Sequence, residues 1–350
     1  GLVEEAPAFG EERLTAILNR LSSKRWQAPL SWLVAAGLLA WLAAQADLDA
    51  IKASLNVVYP GWLAAAVLSV IATVVVRVAR WRALLRDTTG AHPAWLPLWR
   101  ATLWGQGLNL LLPVRAGDLA RAYGIKHTGR TDLTSIPTHT ERTEDIGAAY
   151  ALGTIGAEKL LDLTWLCLAL FLVLLFERIP SLPRLFSTAQ VVIPLLVLSG
   201  ALTLAWLLSR ASFQGGSGWA AWWRAAIGGV QRLGAGLAVL SRPVVFGPAM
   251  AWSLPLWLGH VFNNYATARA LAMPMDWPGA LLVLVVLQAG LVPPSTPAKI
   301  GVFQALCVAG LGLLGYDVAV SLAYGLVLQW VVMLPPLGLW LADLLLGRLG

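Results

Sequence analysis

Hydrophobic residues recur along this chain in long runs, separated by short polar and basic stretches. Runs of roughly 20 apolar residues are long enough to cross a bilayer as helices. The pattern predicts six full spans, at about 29–46, 60–79, 147–176, 189–209, 244–266 and 319–345. Two further apolar regions are different. The stretch 101–114 is short, contains Gly105, Gln106, Gly107 and Asn109, and stops at Pro113. The stretch 279–292 ends at Pro293 and Pro294, and a companion at 300–315 follows Lys299. Segments this short fit re-entrant or interfacial structure better than a crossing. Irregular backbone at membrane depth survives only where protein or a wet cavity surrounds it. Re-entrant hairpins are therefore expected near 101–121 and 279–315. Ahead of the first span, Leu14, Ile17, Leu18 and Leu21 share a helical face beside Arg13, Arg20, Lys24 and Arg25. Residues 1–28 thus read as an amphipathic cytoplasmic helix.

Composition narrows the class. The chain is 58% hydrophobic and 12% charged, whereas soluble domains carry about 25% charged residues. That density cannot cover a soluble globule, which excludes a soluble enzyme, a disordered chain and a disulfide scaffold. The net charge is +7. With the termini inside and the short stretches re-entering, 19 of the 25 Lys and Arg fall on the cytoplasmic side. Only Lys52, Arg178, Arg184, Arg269 and Lys299 fall outside. The basic excess then sets orientation and does not call for a nucleic-acid partner. The expected location is the inner (cytoplasmic) membrane, multi-pass, with both termini cytoplasmic. Acidic Glu4, Glu5, Glu11 and Glu12 argue against a signal peptide. Cys167 and Cys307 lie in apolar runs and read as small core residues.

The two short regions end alike. The first gives Pro113-Val114-Arg115-Ala116-Gly117, the second Pro297-Ala298-Lys299-Ile300-Gly301. Each follows two spans and precedes one, and the two units start on opposite sides. Such inverted repeats belong to secondary transporters, whose interrupted segments mark the substrate site. The expected fold is an all-α polytopic membrane protein of two inverted-topology repeats, 29–176 and 177–350.

A few polar residues stand out within this apolar frame. Asp118 and Arg121 share a helix face after Gly117. They form either a solvated salt bridge or, with Arg115, a phosphate-binding cluster. Glu158, Lys159 and Asp162 sit inside the third span. Charges there usually face a cavity or the protein interior, unless this long helix projects into the cytoplasm. Lys299, with Gln304 nearby, occupies the position in the second unit that Arg115 holds in the first. His260, Asn263, Asn264 and Gln288 read mainly as hydrogen-bonding groups between helices. The four His lack metal-ligand spacing, and no nucleophile elbow, P-loop or dinucleotide motif occurs. No catalytic residue, metal or cofactor is expected.

The string Asn109-Leu110-Leu111-Leu112-Pro113-Val114-Arg115-Ala116-Gly117-Asp118-Leu119-Ala120-Arg121 resembles a signature of the lysylphosphatidylglycerol synthase transmembrane-region family. Glu158-Lys159-Leu160-Leu161-Asp162 is similar to its next motif, with Lys159 where Arg is usual. Pro293-Pro294-Ser295-Thr296-Pro297-Ala298-Lys299-Ile300-Gly301 is similar to a third, with Ala298-Lys299 in place of a Gly pair. Gln304 stands where that motif usually ends in Glu, and Arg80-Trp81-Arg82 resembles the family's basic cluster after the second span.

The resemblance implies lipid handling without the separate soluble aminoacyltransferase domain. The expected function is a flippase or transporter of an anionic or phosphate-bearing (glyco)lipid head group. Its partners would be membrane lipids, with a phospholipid or lipid-linked glycan as substrate, and a homo-oligomer is open. Substrate contacts are expected from Asn109, Arg115, Asp118, Arg121, Glu158, Lys159, Asp162, Lys299 and Gln304. Pro113, Gly117, Pro293, Pro294, Pro297 and Gly301 would shape the hairpins. The alternatives are an integral-membrane lipid or glycosyl transferase using Glu158 and Asp162, or an accessory subunit of an envelope lipid pathway.

Overall fold

The computed structural model describes residues 27–45, 47–56, 58–85, 93–111, 116–127, 146–175, 236–291 and 296–346. Among these, every regular element is helical. The α-helices are α1 (Gln27–Gln45), α2 (Leu48–Asn56), α3 (Pro60–Leu84), α4 (Trp95–Leu111), α5 (Ala116–His127), α6 (Ile146–Leu175), α7 (Pro243–Ala270), α8 (Trp277–Gly290), α9 (Val302–Gly312) and α10 (Val318–Leu346). Three are long and apolar enough to cross a membrane: 60–84, 243–270 and 318–345. The chain is an all-α polytopic membrane protein. The expected N-terminal helix and the fourth span lie outside the described residues, as do Pro113, Arg115, Pro293 and Pro294.

The apolar pattern locates most of the described helices to within a few residues, and two of the departures have clear causes. The polar segment after α1 forms the short helix α2, because the Asp47 carboxylate accepts the Asp49 amide at 2.9 Å and starts the turn. The second span does not stop near residue 79. It runs to Leu84, carrying Arg80, Trp81 and Arg82 within α3. Pro60 opens α3 at a position where its missing N–H costs nothing. At α8 the Asp276 side chain caps the Gly279 amide at 2.9 Å.

Helices α3 and α7 form the central pair and run antiparallel. The Tyr59 amide donates to the Ala270 carbonyl at 2.8 Å, Asn263 Nδ2 donates to the Ala66 carbonyl at 3.0 Å, and Arg80 reaches Ser253. The two helical hairpins, α4–α5 and α8–α9, therefore leave this pair at opposite ends. Their surroundings match. Helix α5 packs on α6 as α9 packs on α10, α4 on α10 as α8 on α6, and α3 on α4 as α7 on α8.

Apolar tails compete equally for apolar side chains in lipid, so close backbone approach and hydrogen bonds must hold the helices. Glycines permit that approach. A Cβ on Gly117 would strike the Gly105 carbonyl and the Asn109 side chain, and one on Gly290 would strike Leu306. Each hairpin sits in its own apolar cluster, one around Trp81, Leu98 and Leu161, the other around Leu282, Cys307 and Leu311. Both Cys167 and Cys307 are buried free thiols.

Candidate functional site

Among the described residues, the strongest concentration of buried charge lies where α3, α5, α6 and α7 meet. Glu158 and Asp162 are one helical turn apart on α6, so both carboxylates point to one face. Arg121 of α5 forms a bidentate pair with Glu158, Nη1 to Oε2 at 2.5 Å and Nη2 to Oε1 at 3.2 Å. Arg80 of α3 donates from Nη1 to Asp162 Oδ1 at 2.6 Å, and its Nε lies 3.7 Å from Glu158 Oε1. It also reaches Ser253 Oγ of α7 at 3.4 Å. Glu158 thus bridges two guanidiniums. Arg80, Arg121 and Glu158 are 1%, 5% and 2% exposed, so water contributes little and the pairing must offset the cost of desolvation.

Trp81 braces the cluster. The Arg121 guanidinium lies 3.7 Å from the centre of its ring, a cation–π contact. Its Nε1 donates to Thr154 Oγ1 at 3.2 Å. Further out, Lys159 Nζ lies 3.6 Å from Asp118 Oδ2. This half-exposed rung is the rim of the network. The expected shared face of Asp118 and Arg121 is real, and each meets one of the adjacent residues 158 and 159.

Asn109 does a different job. Its Oδ1 accepts the Gly117 amide at 2.9 Å, capping the start of α5 from eight residues back. The hairpin is closed by this bond and by the absence of a Gly117 side chain.

The second hairpin is fastened without buried charge. Gln304 Oε1 accepts the Gly301 amide at 2.8 Å, and its Nε2 donates to Gln329 Oε1 of α10. Gln329 Nε2 donates in turn to the Ala298 carbonyl at 2.9 Å, and Thr296 Oγ1 donates to the Ile300 carbonyl. This holds a 3-10 turn, Pro297–Lys299, in an unusual path. Ala298 has φ +51°, Lys299 +61° and Gly301 +84°. Left-handed backbone costs a non-glycine residue about 1–2 kcal/mol, which explains why a Gly pair would suit positions 298 and 299. Lys299 is exposed, and its turn packs against α4 of the first hairpin. The hairpins therefore meet.

Of the expected contact residues, the structure gathers Asp118, Arg121, Glu158, Lys159 and Asp162 at one place. It puts Asn109 at the first hairpin's cap, and Lys299 and Gln304 at the second turn. Sequence reading missed Arg77 and Arg80, which it counted as cytoplasmic orienting charges. Their signal was present: Ala66, Val70, Thr73, Arg77, Arg80 and Leu84 follow helical spacing, and all but Arg77 are buried. Gln329 was missed as well, inside the last apolar run.

No curated protein and no solved structure matches the chain significantly. A family model does. The description "Lysylphosphatidylglycerol synthase TM region" matches residues 30–339, nearly the whole length and all the described motifs, and the chain belongs to that family.

Proposed function

We propose that this protein is a lipid flippase, moving an anionic or phosphate-bearing head group across the cytoplasmic membrane. The observation that carries the reading is the buried network of Arg80, Arg121, Glu158 and Asp162. It ties the returning arm of a short hairpin to α3 and α6 through ion pairs, and to α7 through the Arg80–Ser253 bond. Charge inside a membrane bundle is costly and is kept where ions or polar substrates pass.

In this reading the chain crosses six times with both termini inside, and the hairpins re-enter from opposite faces. A head group arriving from the rim at Lys159 and Asp118 competes with Glu158 for Arg121. The α5 arm then loosens from α6 and the path opens. Lys299, on the turn that packs against α4, attracts the anion from the other side. Acyl tails stay in the bilayer throughout.

A transferase fits the geometry less well. Glu158 and Asp162 already accept hydrogen bonds from guanidiniums, so both are engaged in pairs within the bundle and neither is presented to a substrate.

Reconstitution into liposomes tests the proposal. Purified protein should accelerate exposure of fluorescent phosphatidylglycerol to an external quencher, and Glu158→Gln should slow it. Liposomes with protein that match empty ones would sink the flippase reading.

A further inference from the structure

Arg77 lies on the inward stripe of α3, one turn before Arg80. It is half-buried, and among the described residues it makes neither an ion pair nor a hydrogen bond. Four charges act on it: Asp162, Arg80, Glu158 and Arg121. Both carboxylates in that set are already taken, Asp162 by Arg80 and Glu158 by Arg121 and Arg80. Among the described residues the cluster holds three guanidiniums against two carboxylates, so one positive charge has no carboxylate of its own there.

A second group with an unmet bond stands nearby. His260 of α7 has a buried Nδ1 with no hydrogen-bond partner, and the charge of Arg77 reaches its ring. Side chains on a helix lean towards its N-terminus, which carries the Arg77 guanidinium from its own level towards the level of Gly259 and His260. Ser69 of α3 bonds the Gly259 carbonyl at that level. A buried imidazole nitrogen without a hydrogen bond, within reach of a cation that has no carboxylate of its own among the described residues, is an unfavourable arrangement in an apolar bundle. A phosphate would answer both, taking the fork of Arg77 on two oxygens and a His260 N–H on a third.

We propose that Arg77 and His260 form the binding site for the phosphate of a lipid head group, placed deeper in the bundle than the Arg121–Glu158 pair. An apolar groove adjoins it, lined by Trp165, Leu168, Trp257, Leu258 and Val261. Trp257 and Val261 flank His260 along α7, so an acyl chain has a track beside the phosphate. That the ligand is a lipid rests on the flippase reading; the anion site itself does not.

Binding is measured with the full chain in phosphatidylcholine nanodiscs, using radiolabelled phosphatidic acid as the probe. Diacylglycerol with the same tails and inorganic phosphate serve as competitors. Phosphatidic acid should bind and diacylglycerol should not displace it. Loss of a charge-assisted bond weakens binding about tenfold or more, so Arg77→Gln should do so, Arg77→Lys should retain part of the affinity, and His260→Phe should lose several-fold. The melting temperature of Arg77→Gln should equal or exceed the parent's, because an unpaired cation is removed. Competition by inorganic phosphate equal to the lipid's would keep the anion site and reject the lipid as its source.

Unchanged affinity in Arg77→Gln and His260→Phe overturns the proposal. So does failure of Arg77→Gln to fold, because that would make Arg77 a structural cation. Binding that depends on Arg77, in a protein that moves no lipid, would defeat the flippase reading alone. Transport by the parent, with binding indifferent to Arg77, would defeat this site alone.

Discussion

The two hairpins occupy matching places in their halves of the molecule, and each is fastened to the long helix behind it by different chemistry. At the first, Arg121 of the returning arm grips Glu158 of α6. At the second, Gln304 in the same arm grips Gln329 of α10 and the turn itself. Buried charges are costly apart and strongly attracted together. Neutral amide bonds contribute about 1 kcal/mol each and answer weakly to a charged ligand. An anion has something to compete for at Arg121 and nothing at Gln304. On the flippase reading, the first hairpin is the arm that responds to the head group and the second is the fixed clamp.

The contrast can be broken most sharply at Glu158. Glu158→Ala leaves Arg121 buried without its bidentate partner, a loss expected at about 3–5 kcal/mol. It should appear as a marked drop in melting temperature in detergent. Replacing both partners, as Arg121→Met with Glu158→Leu, should recover most of that loss while abolishing transport. A double variant as unstable as the single one would show that the pair is not the unit that matters.

Gly117→Ala probes the closure of the same hairpin. The new Cβ meets backbone at Gly105, which cannot yield as a side chain does. Overpacking of this kind costs about 1–3 kcal/mol. Helix α5 should detach before the rest of the bundle, read as faster amide exchange over 116–127 than over α9. Uniform exchange across both hairpins would count against separate fastening.

At the second hairpin, Gln304→Leu strands the Gly301 amide and Gln329. The expected cost is about 1–3 kcal/mol, smaller than at Glu158. An equal or larger cost, by the same melting measurement, would erase the distinction between charged and neutral clamps.

The smallest effect is a gain. Ala298→Gly and Lys299→Gly relieve left-handed backbone at φ +51° and +61°. Each should stabilise by about 0.5–1 kcal/mol, since glycine's freedom in the unfolded chain takes back part of the relief. Lys299→Gly should also slow transport, because it removes a cation, whereas Ala298→Gly should not.

Much of this was legible in the chain. Apolar run length located the long helices among the described residues, short runs ending in proline marked both hairpins, and the spacing of Glu158 and Asp162 put two carboxylates on one face. The family followed from motifs around Arg121, Asp162 and Gly301. These features are local, set by composition and by a fixed 3.6-residue turn.

What each face meets is not local. Arg80 looked like one more cytoplasmic cation because hydropathy counts charges and does not say where a helix ends among its neighbours. Its partner Asp162 lies 82 residues away, and the partner of Arg121 lies 37 away. Asn109 looked like a ligand contact and proved to be a cap. Gln329 was one polar letter in an apolar run until α9 brought Gln304 against it. Periodicity fixes which residues share a side. Only the crossing of helices decides which side chains are desolvated together, and there a charge becomes a partner, a clamp or an unfilled site.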